Sequence, residues 1–260
     1  MATAFTCKLA SIGHGLSSSH QRLLRGLVFD MDGTLTKPYL DFQEMRRRLG
    51  ITPDQDIVQT LFSWSGEKRQ QGDLIVREME GSWFTLTLDL RLLQFSHILL
   101  RRYAWKLCNQ GLLPAAHVHY SVEALRKTEL QSGLTELFTW LDTTHPTIPR
   151  AILTRNALPS VSHILENHIP FKFHPVVTRE FQPAKPWPDP LLHISQMWGI
   201  MPQEVAMIGD GKDDIECGRA AASVTILLRN PTNQHLEADL VIDELLELKA
   251  FLDAGFTVIR

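Results

Sequence analysis

Short apolar runs, each ending in a polar residue or glycine, recur along the chain at Leu27 to Phe29, Ala151 to Leu153, Val176 to Val177, Val205 to Ile208 and Val224 to Leu228. Runs this short and this continuous predict strands buried on both faces. Between the later runs, helical spacing predicts helices over Pro159 to Asn167, over Pro188 to Trp198 with apolar Leu191, Leu192, Ile194 and Met197, and over the small-residue stretch Asp213 to Ala221. Strands alternating with helices predict an α/β core, a doubly wound parallel sheet with helices on both faces. In such sheets ligands bind beyond the carboxyl ends of the strands, so the residues that follow each run are the candidates for chemistry.

About 120 residues separate the first run from the second, far more than a crossover between parallel strands requires, which predicts an inserted domain. Its opening reads as helices: Asp41 to Leu49 closed by Gly50, then Thr52 as cap with Pro53 at the first helical position running to about Trp64, then Glu67 to Met79. A further helix from about Gly133 to Leu141 leads back to the core. The expected organisation is a head over 1–22, a core built from 23–40 and 133–260, and a small, mainly helical insert over 41–132. Within that insert, 82–122 holds one acid, Asp89, against Arg91, Arg101, Arg102 and Lys106, and has no sustained period. That segment reads as a lineage-specific insertion or as translated non-coding sequence, with Glu67 to Met79 and Glu123 to Thr128 otherwise continuous. No internal repeat or low-complexity segment is found.

Composition narrows the classes. The 260 residues carry a net charge of −3, which gives no general attraction for nucleic acid or anionic lipid. The most apolar stretch, Phe84 to Leu100, is broken by Asp89 and Arg91, short of the roughly 20 apolar residues of a membrane helix. Cys7, Cys108 and Cys217 are few and scattered, which fits a reducing intracellular compartment, cytoplasmic by default. Before Asp30 there is no acid, while Lys8, Arg22, Arg25 and Ser17 to Ser19 give the head the composition of a mitochondrial or plastid transit peptide or of a floppy terminus.

The first strand runs into Asp30-Met31-Asp32-Gly33-Thr34, where two carboxylates two residues apart converge beside a glycine turn. One carboxylate can attack phosphorus, and a second can protonate the leaving oxygen and later activate water. Taken alone, Asp-x-Asp-Gly is also an ordinary turn. The second strand ends in Thr154-Arg155-Asn156, whose hydroxyl and amides suit a phosphoryl oxygen, though a Thr there also caps helices. Lys185, in Gln-Pro-Ala-Lys-Pro-Trp-Pro, offers a fixed cation. Val205 to Ile208 delivers Gly209-Asp210-Gly211-Lys212-Asp213-Asp214, hard oxygen ligands that suit Mg²⁺. A nucleotide P-loop does not fit that string, because Ala206 replaces its first glycine and Asp213 its metal-binding hydroxyl.

These four signals, in this order, resemble the haloacid dehalogenase superfamily, and the string TREFQPAKPWPDPLLHI resembles its small, phosphoglycolate phosphatase-like branch. The resemblance covers 24–45 and about 133–245. It implies that Asp30 is the nucleophile, Asp32 the general acid and base, Thr154 the phosphoryl ligand and Lys185 the stabilising cation. It implies Mg²⁺ on Asp30, Asp210, Asp214 and the Asp32 carbonyl, and a small phosphate ester held by Gly33, Thr154, Arg155, Asn156 and Lys185. Gly211 stands where the superfamily usually has Ser. The reaction expected is phosphate monoester hydrolysis through an aspartyl phosphate. A phosphomutase would use the same residues; a silent binding protein with this fold would have lost Asp30, Asp32 or Lys185. His117 and His119 lack a partner for metal ligation, Arg46, Arg47 and Arg48 read as a solvated helix face, and the tryptophans read as packing.

Overall fold

The structure, a computed structural model, describes residues 8–10, 24–38, 40–80, 128–254 and 257–259. Its chain divides into two compact units, the first comprising 1–38, 129–155 and 169–260 and the second 39–128 and 156–168.

The first unit is built on a six-stranded, wholly parallel sheet of β2 (Gly26–Phe29), β3 (Arg150–Leu153), β4 (Val176–Val177), β5 (Val205–Gly209), β6 (Val224–Leu228) and β7 (Leu240–Ile242), in the order β4-β3-β2-β5-β6-β7. Alternation along the central strands sorts their side chains between two faces. Val28, Ala151, Leu153, Val205 and Met207 meet Leu191 and Ile194 of α6 (Asp189–Trp198) and Cys217 of α7 (Lys212–Ala220). On the opposite face the Phe29 ring lies 5.2 Å from that of Phe138 in α4 (Leu134–Thr144), which also meets Phe171 and Phe173. Phe29, Phe138, Leu134, Leu137 and Leu141 are fully buried, and each such side chain contributes about 1.5–3 kcal/mol. The sheet is therefore covered on both sides, as the sequence pattern predicts.

Two strand features lie outside that pattern. β7 has only three apolar residues bracketed by Asp239 and Asp243, too short a run to signal itself. β1 (Lys8–Ala10), inside the head, pairs antiparallel with β8 (Thr257–Ile259), which follows α8 (Leu248–Ala254).

The second unit contains α1 (Phe42–Leu49), α2 (Ile57–Ser63), α3 (Gly66–Met79) and α5 (Leu158–Asn167). Asp41 caps α1 by accepting from the Glu44 N–H, and Gly50 ends it at φ +67°. α2 begins later than Pro53: Thr52 to Gln55 form a turn closed by the Gln55 N–H and side chain, and Asp56 is the cap, accepting from Gln59 N–H. Met45, Leu49, Ile57, Leu61, Val76 and Met79 form its core, with Trp64 packed against it. The three arginines of α1 are occupied within this unit: Arg47 with Glu44, Arg48 with Glu78, and Arg46 with backbone carbonyls. Glu80 caps α5 from across the unit, accepting from Ala157 N–H and Ser160 Oγ. His117, His119 and the proposed insertion at 82–122 lie outside the described residues. Among the described residues no helix is long and apolar enough to cross a membrane.

Candidate active site

The register of the central strands sets the site. Phe29 is level with Ile152 on one side and Ile208 on the other, so the chain leaves the sheet at Asp30, Thr154 and Asp210 along one carboxyl edge. After Asp30 the chain curls back on itself: Met31 C=O accepts from the N–H groups of Leu35 and Thr36, both at 2.9 Å, and from Thr36 Oγ1 at 3.2 Å. Gly33 sits in this turn at φ +86°, and a Cβ there would fall 2.4 Å from Asp210 Oδ2. Backbone and neighbour both demand glycine.

Lys185 arrives from the loop after β4 and is buried, at 3% exposure. Its Nζ donates to Asp30 Oδ1 at 2.8 Å and to Asp214 Oδ1, and stands 4.0 Å from Asp213 Oδ2. Asp214 is fixed from both ends of its turn. It accepts from Gly211 N–H at 2.9 Å, capping α7, and a Cβ on Gly209 would come within 2.1 Å of its Oδ2. Asp210 accepts from Thr34 Oγ1 at 3.4 Å and from Asn230 Nδ2 at 3.0 Å. One carboxylate oxygen each from Asp30, Asp210 and Asp214 lie within 4.8 Å of one another.

One buried ammonium therefore faces three carboxylates, with a fourth close by. Burial alone would pull the Lys185 amine down, but Asp214, Asp30 and Asp213 together outweigh it and hold the amine above its ordinary value. Burial pushes the Asp30 carboxyl up against the pull of Lys185, and pushes Asp214 well up in the same way. Asp210 is pushed up to about 7 by burial and by the charge of Asp30. Asp213 alone goes down, since Lys185 and Arg155 overcome its burial. Carboxylates raised together in this way are short of positive charge, and an all-oxygen donor set of this size fits a hard divalent cation.

The structure thus brings together Asp30, Lys185, Asp210 and Asp214, with Gly33 against Asp210. Thr154 is buried at the same edge, its N–H bonded to Val177 C=O at 2.9 Å. Arg155 turns its guanidinium to Asp213, 3.4 Å away. Asp32 is half-buried, with its backbone bridged to Thr36. Asn156 is buried at the start of the segment that belongs to the second unit. Thr34, Asn230 and Asn233 are not legible as site residues from motifs, and Asp213 is legible only as part of the acidic string after β5. For the two asparagines a signal exists: Asn-Pro-Thr-Asn follows the strand ending at Leu228, at the edge where chemistry is expected.

A doubly wound parallel sheet whose carboxyl edge gathers four acids around a buried lysine marks the chain as an α/β protein with a carboxylate-rich active site of hydrolase type. The chain belongs to the haloacid dehalogenase-like hydrolases, whose family profile matches residues 24–222. A haloacid dehalogenase-like hydrolase domain-containing protein of Arabidopsis thaliana is 30% identical over 93% of this chain and 89% of its own length. The phosphoglycolate phosphatase of Escherichia coli K12 is 25% identical over 84% of this chain and 86% of its own. Among solved structures, a HAD hydrolase of Entamoeba histolytica is 19% identical, with TM-score 0.53 over 88% of this chain and 98% of that one. CbbY of Rhodobacter sphaeroides, solved with phosphate, is 19% identical, with TM-score 0.51 over 89% and 100%. At these identities the likeness of the solved structures is one of fold.

Proposed function

We propose that the protein is a Mg²⁺-dependent phosphatase that hydrolyses a small phosphate monoester through an aspartyl phosphate on Asp30. The observation that carries this reading is the meeting of Lys185 Nζ with Asp30 Oδ1 at 2.8 Å, beside the converging oxygens of Asp210 and Asp214. A carboxylate placed so, with a cation alongside, is a nucleophile whose target must be electrophilic and anionic. Phosphoryl groups meet that description.

In this account Asp30 attacks phosphorus and the ester P–O bond breaks, while Asp32 passes its proton to the leaving oxygen. Asp32, now a carboxylate, takes a proton from water. The water oxygen attacks phosphorus, and the acyl P–O bond breaks to release phosphate and restore Asp30. Thr154 hydrogen-bonds a phosphoryl oxygen, and Gly33, which leaves room in the turn, lets the ester approach. Lys185 steadies Asp30 and offsets charge on the transferring group. Asp30, Asp210 and Asp214, with the Asp32 carbonyl, would hold Mg²⁺, which when bound neutralises the carboxylates and the phosphate facing them. The helical insert is the region assigned to substrate choice.

The experiment is a panel of phosphate monoesters assayed with Mg²⁺ and with chelator. Phosphoglycolate, the substrate in the name of the Escherichia coli relative, belongs on it beside sugar phosphates and nucleoside monophosphates. Phosphate release that needs Mg²⁺ supports the reading; release equal in chelator, or none from any ester, contradicts it.

A further inference from the structure

We infer that Asn230, in the turn after β6, is a positioning residue that sets the affinity of the site for its divalent cation by holding the carboxylate of Asp210. This rests on the metal-dependent reading above. The turn Asn230-Pro231-Thr232-Asn233 is built around two side chains. Asn230 Oδ1 accepts from Thr232 N–H at 2.9 Å, from Thr232 Oγ1 at 2.7 Å and from Asn233 N–H at 3.1 Å. Asn233 Oδ1 accepts in return from Asn230 N–H at 2.8 Å.

The turn is also tied to the sheet. Asn233 is buried, and its amide gives one hydrogen to Leu228 C=O and one to Asp210 C=O, both at 2.9 Å. It thereby clamps the end of β6 to the end of β5. With Oδ1 engaged inside its own turn, the Asn230 amide points its Nδ2 at Asp210 Oδ2, 3.0 Å away. An Asn side chain has two donors and one acceptor oxygen, so this division of labour fixes which way the amide faces.

Asp210 needs such a partner. Of the three acids whose oxygens converge, it is the one for which no hydrogen bond to Lys185 is found among the described residues, whereas Asp30 and Asp214 both have one. Its two oxygens are each met by a neutral donor, Thr34 Oγ1 at Oδ1 and Asn230 Nδ2 at Oδ2. A neutral donor orients a carboxylate without cancelling its charge, and each oxygen keeps a lone pair for a cation. Outer hydrogen bonds of this kind commonly change metal affinity by about 10- to 100-fold when removed. A charged donor in that place would cancel part of the carboxylate's charge and weaken its hold on a cation; a neutral amide does not.

Two variants separate this from a purely structural role. Asn230→Ala removes both the Oδ1 that closes the turn and the Nδ2 that meets Asp210, whereas Asn230→Ser keeps a hydroxyl oxygen for Thr232 N–H but is too short to reach Asp210. Mg²⁺ affinity is read by calorimetry on the folded protein without substrate, and in parallel by the Mg²⁺ concentration that gives half-maximal phosphate release. Both variants are expected to bind Mg²⁺ about tenfold or more weakly, while the Ser variant keeps the Tm of the chelated wild-type protein and recovers most of kcat at high Mg²⁺. Unchanged Mg²⁺ affinity in folded Asn230→Ser overturns the inference. So does failure of both variants to fold, which would make the turn a device of the fold. Should wild-type protein show no Mg²⁺ binding by calorimetry, the metal-dependent reading itself falls, an outcome distinct from either.

Discussion

Lys185 Nζ lies 2.8 Å from Asp30 Oδ1 across 155 positions of sequence, and the same ammonium also holds Asp214. The pairing makes the lysine both a part of the site and a part of the fold. Buried at 3% exposure among carboxylates, it cannot be removed without leaving negative charge uncompensated.

Lys185→Met is therefore expected to lower kcat by about 10²- to 10³-fold and to destabilise the chelated protein by about 3–5 kcal/mol. Denaturant unfolding with and without Mg²⁺ checks this, and added Mg²⁺ should restore part of the stability. A Met variant with wild-type stability and turnover would remove Lys185 from the site.

The second expectation concerns Asp32. If it protonates the leaving oxygen, Asp32→Asn slows alkyl phosphates by about 10²- to 10⁴-fold and aryl phosphates, whose phenolates leave unaided, far less. Rates for a series of esters graded by leaving-group acidity provide the measurement. Equal losses across the series point to a structural role.

A pH dependence follows from Asp210. Its carboxyl is pushed up to about 7 in the folded protein from an ordinary 3.8. The folded state therefore holds this proton more tightly than the unfolded chain, and the stability it contributes is complete below the unfolded value and lost as pH rises through about 7. In the proposed function Mg²⁺ would bind this carboxylate and so compete with that proton. Between about pH 5.5 and pH 8 the Tm of chelated protein should fall while the Tm gain from Mg²⁺ grows. A Mg²⁺ gain that does not change with pH would contradict this.

The segment 82–122 is proposed to be dispensable. A chain lacking it is expected to be at least as soluble and to keep Mg²⁺-dependent phosphatase activity, read by sedimentation and phosphate release. Loss of turnover on every ester in a folded deletion protein would place the segment in the working insert.

Much of this was legible in sequence because the chemistry follows strand ends, and strand ends are marked by apolar runs meeting polar residues. Asp30, Thr154 and Asp210 each follow such a run, and parallel pairing with Phe29 level with Ile152 and Ile208 brings them to one edge. Lys185 was legible by its motif; its burial was not, since a lysine in a proline-rich loop is usually solvated. The start of α2 was misplaced because Thr52-Pro53 has the chemistry of a cap, while the side chain of Gln55 closes a turn there and leaves Asp56 to cap. Asn230 escaped for a different reason. Its partner Asp210 lies 20 positions away, and its place just after the strand ending at Leu228 marks the edge but not what the amide faces.

The central claim is that Asp30 carries the phosphoryl group. Protein turning over an accepted ester with Mg²⁺ is quenched and treated with borohydride, which reduces an acyl phosphate to the alcohol, and the peptides are mapped by mass. The account predicts conversion of Asp30 to homoserine, only when ester is present. Homoserine at another aspartate, or phosphate release at the full rate by Asp30→Asn, would contradict it.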